Sequence, residues 1–147
     1  MDIQEIRKFN RYYSRILGVF DQKVFDLDYS MAEMRIIGEI SRHSGITANI
    51  LSNYLGINKG YLSRMISKLE KAQCLYKKRD TSDSRVFHLY LTKQGRKLNQ
   101  YVDKASDQKV ISLFSELEHQ DLRDLIDSMK NIERLLEKII PIEMEDL

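Results

Sequence analysis

Apolar residues recur along the chain with two different periods, and the change of period marks out its elements. Between residues 2 and 24, Ile6, Phe9, Tyr13, Ile16 and Phe20 fall on one helical face. Ser30 precedes Met31, Met34, Ile37 and Ile40, which predicts a short second helix. Thr47 predicts an N-cap for a third helix over 48–55, whose Ile50, Leu51, Tyr54 and Leu55 share a face. Gly56 is suited to the left-handed conformation that ends a helix, and Asn58 to capping the next. That fourth helix carries Leu62, Met65, Ile66 and Leu69, an i, i+3, i+4, i+7 stripe.

The period then falls to two. Residues 75–79 and 85–91 read as strands; in the second, Phe87, Leu89 and Leu91 alternate with Val86, His88 and Tyr90. The polar cluster 80–84 between them predicts a hairpin turn. Thr92 should cap a long helix through Leu98, Tyr101, Val102, Ala105, Ile111 and Phe114. Leu122, Leu125, Met129, Ile132, Leu136 and Ile139 then follow a heptad seam, the pattern of helices that pack side by side, and Pro141 marks the end. The predicted fold is mainly α with a small β-hairpin wing. No stretch is long or polar enough to be a linker, so residues 1–147 are expected to form one domain.

Composition adds little until charge is divided along the chain. The 147 residues suffice for one core, and no apolar run approaches the roughly 20 residues of a membrane span. The N-terminal stretch lacks a signal-peptide core, and Cys74 is the single cysteine, so a cytoplasmic protein without a membrane partner is expected. The net charge of +2 conceals an asymmetry: residues 1–46 hold 7 Lys+Arg against 7 Asp+Glu, 47–97 hold 11 against 3, and 98–147 hold 6 against 12. A basic middle between neutral and acidic ends predicts a localised contact with a polyanion.

That basic middle contains two short amphipathic helices joined by Leu55-Gly56-Ile57-Asn58, the sequence form of a helix-turn-helix. With its apolar stripe docked, the second helix would present Lys59, Gly60, Tyr61, Ser63, Arg64, Ser67 and Lys68, with Glu70 its one acid. Arginine can grip guanine edges, serine can bond bases or phosphates, and lysine can neutralise phosphates. The hairpin adds Lys78 and Arg79 before its loop and Arg85 after it, suited to backbone or minor-groove contact. Asp83 could hold the Arg85 guanidinium in an extended pose or serve as a turn residue. The same basic face could also meet an acidic protein, which leaves a winged-helix protein-interaction module as the alternative to DNA binding.

The stretch 46–98 resembles the MarR family of bacterial transcriptional regulators. The likeness lies in the Leu55-Gly56 turn, Ser63-Arg64, Leu69-Glu70, the wing's Asp83 and Arg85, and the Leu91-Thr92 pair followed by Gly95. It implies a winged helix-turn-helix, with residues 47–72 as the helix-turn-helix and 75–91 as the wing of a DNA-binding lobe over 30–97. It implies dimerisation through N- and C-terminal helices, 1–29 and 98–147, on pseudo-palindromic double-stranded DNA. The expected activity is transcriptional regulation, as a repressor relieved by a small aromatic or anionic effector. Gly60-Tyr61 and Ser84 depart from the residues the family often carries there, so the base contacts are this chain's own.

Tyr12, Tyr13, Phe20, Met31 and Met34 could line an effector cavity, or simply be core. Cys74 could act as a redox switch in a redox-responsive regulator, or be a small core residue. His43, His88 and His119 have no partners at metal-ligand spacing, so neither metal nor cofactor is expected. The chain holds no phosphate loop, nucleophile elbow or acid–base pair in a recognisable setting, which argues against an enzyme.

Overall fold

Capping interactions fix where the helices begin. The computed structural model describes residues 1–21 and 27–141, with the side chains of residues 19–21 outside the description. Helix α1 spans Ile3–Asp21, so the predicted extension to Val24 falls outside the described residues. Helix α2, Met31–Arg42, starts at a capping box: Ser30 Oγ accepts the Glu33 N–H at 3.2 Å, and the Glu33 carboxylate accepts the Ser30 N–H at 2.8 Å. Thr47 caps α3, Ala48–Leu55, by accepting the Ile50 N–H at 3.4 Å. Gly56, with φ 62°, ends it. Asn58 Oδ1 then takes the N–H groups of Gly60 and Tyr61, at 2.9 and 3.3 Å, and opens α4, Lys59–Lys71.

Strands β1, Leu75–Arg79, and β2, Phe87–Leu91, pair antiparallel, with Leu75 opposite Leu91 and Arg79 opposite Phe87. The loop between α2 and α3 adds to the far edge of β2. Gly45 N–H donates to Leu89 O and Leu89 N–H to Ile46 O, each at 2.9 Å, so the hairpin is tied to the helices by backbone bonds. Thr92 Oγ1 accepts the Gly95 N–H at 3.0 Å and opens α5, Lys93–Phe114. Helix α6 spans His119–Leu136.

The core sits where α2, α3, α4 and the base of the hairpin meet. Ile36, Ile37, Ile40, Leu51, Leu62, Leu69, Leu75 and Leu89 are fully buried there. Each such side chain contributes on the order of 1.5–3 kcal/mol relative to exposure. The stripe read from α4 is the buried one, with Leu62, Met65, Ile66 and Leu69 all inside.

Two boundaries differ from the sequence reading. The second strand begins at Phe87 rather than residue 85, because the turn claims the intervening backbone: Asp80 N–H donates to Val86 O, Val86 N–H to Asp83 O, and Arg85 N–H to the Asp83 carboxylate. The last helix stops at Leu136, short of Ile139. Ile139 and Ile140 both donate to Leu136 O, a tightened end that fits the bias against helical geometry before Pro141.

The chain divides into two compact units, Met1–Ser106 and Asp107–Leu147, with the division inside α5. In the second, α6 buries none of its residues, and Ile126, Ile132, Leu135 and Leu136 stay exposed. In the first, α1 likewise exposes Ile3, Ile6, Phe9 and Tyr12.

Candidate nucleic-acid interface

The face of α4 opposite its apolar stripe is open. Lys59, Gly60, Tyr61, Ser63, Arg64 and Lys71 are exposed, and Ser67 is half-buried. Ser63, Arg64, Ser67, Lys68 and Lys71 together line a shallow hollow of about 400 Å³. The helix is held in position from behind by its turn: Ser52, itself buried, donates its hydroxyl to Ile57 O at 2.7 Å and clamps the three residues that follow α3. The Arg64 guanidinium lies 5.9 Å from the Tyr61 ring centroid, which keeps the two long side chains together on the outer face.

Lys68 departs from that set. Its Nζ donates to Asp28 O and the Glu33 carboxylate, each at 3.0 Å, and lies 5.5 Å from the Tyr29 ring centroid. Glu33 is almost fully buried, so the lysine neutralises a carboxylate that would otherwise be left alone. Lys68 therefore latches α4 to the start of α2, with half of its side chain exposed beside the hollow. Tyr29 continues the latch: its hydroxyl lies 3.6 Å from Cys74 Sγ, and that contact with burial pushes its pKa to about 12. Cys74 itself is buried at the start of β1.

The wing is built on two aspartates. Asp80 accepts the N–H groups of Ser82 and Asp83, at 2.8 and 2.9 Å, and a bond from His88 Nε2 at 2.7 Å. His88 and these two amides hold its carboxyl down at about 2. Asp83 holds Arg85 through both carboxylate oxygens, and Arg85 in turn keeps that carboxyl below its ordinary value. The Arg85 side chain is 89% exposed at the wing. Arg79 stacks its guanidinium 5.3 Å from the Phe87 ring centroid, Lys78 is exposed, and Lys77 pairs with Glu70 at 3.2 Å. A groove of about 470 Å³ runs between α3, the start of α4 and the hairpin, and Lys59, Lys77, Arg85 and Phe87 are among its walls.

The sequence pattern thus identifies the exposed face of α4 and the Asp83–Arg85 pair, but misses Glu33, Asp80, His88 and Lys71. Asp80 and His88 bracket the predicted turn, which is the one sequence feature that pointed to their meeting. Of the expected effector residues, Met34 is core, Met31 and Tyr13 are half-buried with Tyr13 stacked on Phe9 at 5.6 Å, and the Phe20 side chain lies outside the described residues. Among the described residues, no group of three or more His, Cys, Asp or Glu could hold a metal, and no helix is long and apolar enough to cross a membrane.

The family model described as transcriptional regulator SarA/Rot matches residues 20–102, more than half of the chain. No curated protein matches it. Among solved structures, a MarR transcriptional regulator from Methanosarcina mazei Go1 is 26% identical, with a TM-score of 0.76 over 93% of this chain and 99% of that one. FabT of Streptococcus pneumoniae, solved in complex with DNA, is 22% identical with a TM-score of 0.74, over 94% and 99% of the two chains. A mutant MarR from E. coli complexed with operator DNA is 19% identical with a TM-score of 0.71, over 90% and 99%. The last two likenesses concern the fold alone.

Proposed function

The chain belongs to the SarA/Rot family of transcriptional regulators and has the winged-helix fold of MarR regulators, and from that premise we propose that it binds double-stranded DNA sequence-specifically as a homodimer. Helix α4 enters the major groove. Ser63 and Arg64 read base edges, Lys59, Ser67 and Lys71 meet phosphates, and Gly60 and Tyr61 set how closely the helix start approaches. The helix N-terminus adds a partial positive charge. Arg85 reaches the adjacent minor groove, with Lys78 and Arg79 on the backbone beside it and Asp83 as its positioning partner. Lys68, at the side of the same hollow, ties α4 to the start of α2 through Glu33.

The observation that carries this reading is the pairing of a basic outer face on α4, whose one acid, Glu70, is engaged with Lys77, with an exposed arginine held by Asp83 at the neighbouring wing. A polyanion with two grooves fits that arrangement better than an acidic protein surface does. The exposed apolar faces of α1 and α6 support a dimer, with residues 1–29 and 98–147 as its contact regions and 30–97 as the DNA-binding lobe. Two copies then read half-sites about 34 Å apart, or a multiple of that. The regulation we propose is repression, by occupying the operator. The groove beside Lys59, Lys77, Arg85 and Phe87 combines cations with apolar wall and suits a small aromatic anion whose binding would relieve repression.

Fluorescence anisotropy against selected and scrambled duplexes at two salt concentrations tests this. Specific binding should weaken with salt at a slope near −0.9 per phosphate neutralised. Arg64→Ala should cost about 1–3 kcal/mol on the selected duplex and relax its specificity. Equal losses on both duplexes would remove Arg64 from base reading; failure of random-sequence selection to enrich any duplex would favour a protein partner.

A further inference from the structure

His88 makes two short hydrogen bonds that a neutral imidazole cannot make together. Its Nδ1 lies 2.7 Å from the Gly45 carbonyl oxygen, which can only accept. Its Nε2 lies 2.7 Å from Asp80 Oδ1. His88, together with two backbone N–H groups on Oδ2, holds the Asp80 carboxyl down at about 2, so at neutral pH it is ionised and it too can only accept. Both ring nitrogens must donate, and the ring is an imidazolium. We propose that His88 is the positioning residue of the wing: its doubly protonated ring fastens the hairpin turn to the loop before α3, and losing one proton releases one of the two fastenings.

The placement gives this consequence. Gly45 belongs to the loop that carries the Thr47 cap of α3, and the residue opposite His88 in the isolated backbone bridge is Thr47 itself. Asp80 anchors the amides of Ser82 and Asp83, and Asp83 holds Arg85. A continuous set of bonds therefore runs from the helical lobe through His88 to the wing arginine. The wing's angle to α4 depends on it, and on the DNA-binding reading above, so does affinity.

The groups around the ring set the sign. Among the described residues Asp80 is the one opposite charge at contact distance, and it raises the His88 pKa first, the Gly45 carbonyl second. Lys78, directly across on β1, opposes protonation from an exposed position. Tyr90 lies two residues along β2, stacked on Tyr76, and Tyr90 Oη comes close to Gly45. His43, at the end of α2, is engaged with Glu39 at 3.9 Å. Helix α3 has no charged residue. A raised histidine pKa means the fastening is complete below the ordinary value of 6.5 and is lost as pH rises through the higher folded value. The Asp80 side sets the acid limit, with its contribution present above 3.8 and lost as pH falls towards about 2. DNA binding should accordingly be stronger at mildly acidic than at mildly alkaline pH.

The experiment pairs two readouts on the full chain. Long-range proton–nitrogen spectra of the free protein should find both His88 nitrogens protonated at about pH 6, with an apparent pKa above 6.5 that falls in Asp80→Asn. Exchange of the Ser82 and Asp83 amides, corrected for base catalysis, should quicken as the ring deprotonates. Anisotropy at constant ionic strength from about pH 6 to about pH 8.5 should find wild-type affinity falling by up to about tenfold per pH unit across that titration, with His88→Gln flat. His88 titrating at or below 6.5, or parallel pH profiles for wild type and His88→Gln, would overturn the proposal. An upward-shifted His88 with pH-dependent wing exchange, but no duplex preferred at any pH, would uphold the fastening and remove the DNA-binding reading instead.

Discussion

Arg85 grips Asp83 through two nitrogens, Nε at 3.1 Å from Oδ1 and a terminal nitrogen at 3.2 Å from Oδ2, while its own backbone N–H donates to Oδ1 at 3.0 Å. A pair this exposed adds little to folding stability. Its consequence is for binding, since an arginine already held in place loses less freedom when it meets DNA. Asp83→Asn should weaken affinity by about two- to tenfold, the cost of ordering one long side chain, and leave the melting temperature unchanged. In an Arg85→Ala background the same substitution should have no further effect on binding. Additive losses in that double-mutant cycle would mean that Asp83 acts other than through Arg85.

Lys68 separates a structural cation from the DNA-facing ones. Lys68→Met keeps the bulk but leaves Glu33 buried without its partner. Breaking a fully buried pair costs about 3–5 kcal/mol; with half of the lysine side chain in water, about 1–2 kcal/mol is expected in urea unfolding. The salt slope of DNA binding should not change. Lys59→Ala should do the reverse, flattening the slope by about 0.9 with stability intact. A flattened slope for Lys68→Met would return Lys68 to the phosphate contacts.

These residues also mark how far the sequence could be read. Caps at Ser30, Thr47, Asn58 and Thr92, and the left-handed Gly56, act within three residues of themselves, so local chemistry announces them. The α4 stripe is legible because burial follows helical period. Glu33 meets Lys68 across 35 positions, and no period carries that information. His88 reads as an ordinary alternating strand residue, and its second partner, Gly45, lies 43 positions away. The strand starts later than its alternation predicts for a related reason: side chains of Asp80 and Asp83 divert backbone N–H groups that a strand would have used.

Gly95 gives the small residue after Leu91-Thr92 a physical cause. A Cβ built there falls 1.9 Å from Cys74 O and 2.9 Å from its carbonyl carbon, both rigid backbone. The first turn of α5 thus lies directly against the start of β1, and Thr92 N–H donates to the same Cys74 O at 3.1 Å. Gly95→Ala must push the two elements apart. A loss of about 2 kcal/mol or more is expected, at the upper part of the range for overpacking. A variant within about 0.5 kcal/mol of wild type would mean that this contact yields freely.

The dimer is tested on α6, where Ile132 and Leu136 lie four residues apart on the predicted seam and are both exposed. Water tolerates single exposed apolar residues, but this helix fully buries none, with Leu122, Leu125 and Met129 only half-buried, and an amphipathic helix so little covered needs a partner. A second copy of the chain supplies one by two-fold symmetry. Ile132→Glu with Leu136→Glu places charges on that seam, four per symmetric interface, without touching the fully buried core around α2, α3, α4 and the hairpin. Sedimentation should find a dimer for wild type and a monomer for the variant, with the circular dichroism of the helices retained. Affinity for a full pseudo-palindrome should fall to that for a single half-site, because the second half-site no longer adds to binding. If the variant stays dimeric, the contact lies elsewhere in the chain. If it is monomeric yet binds the full site as tightly as wild type, the two-fold reading of the operator fails even though the dimer exists.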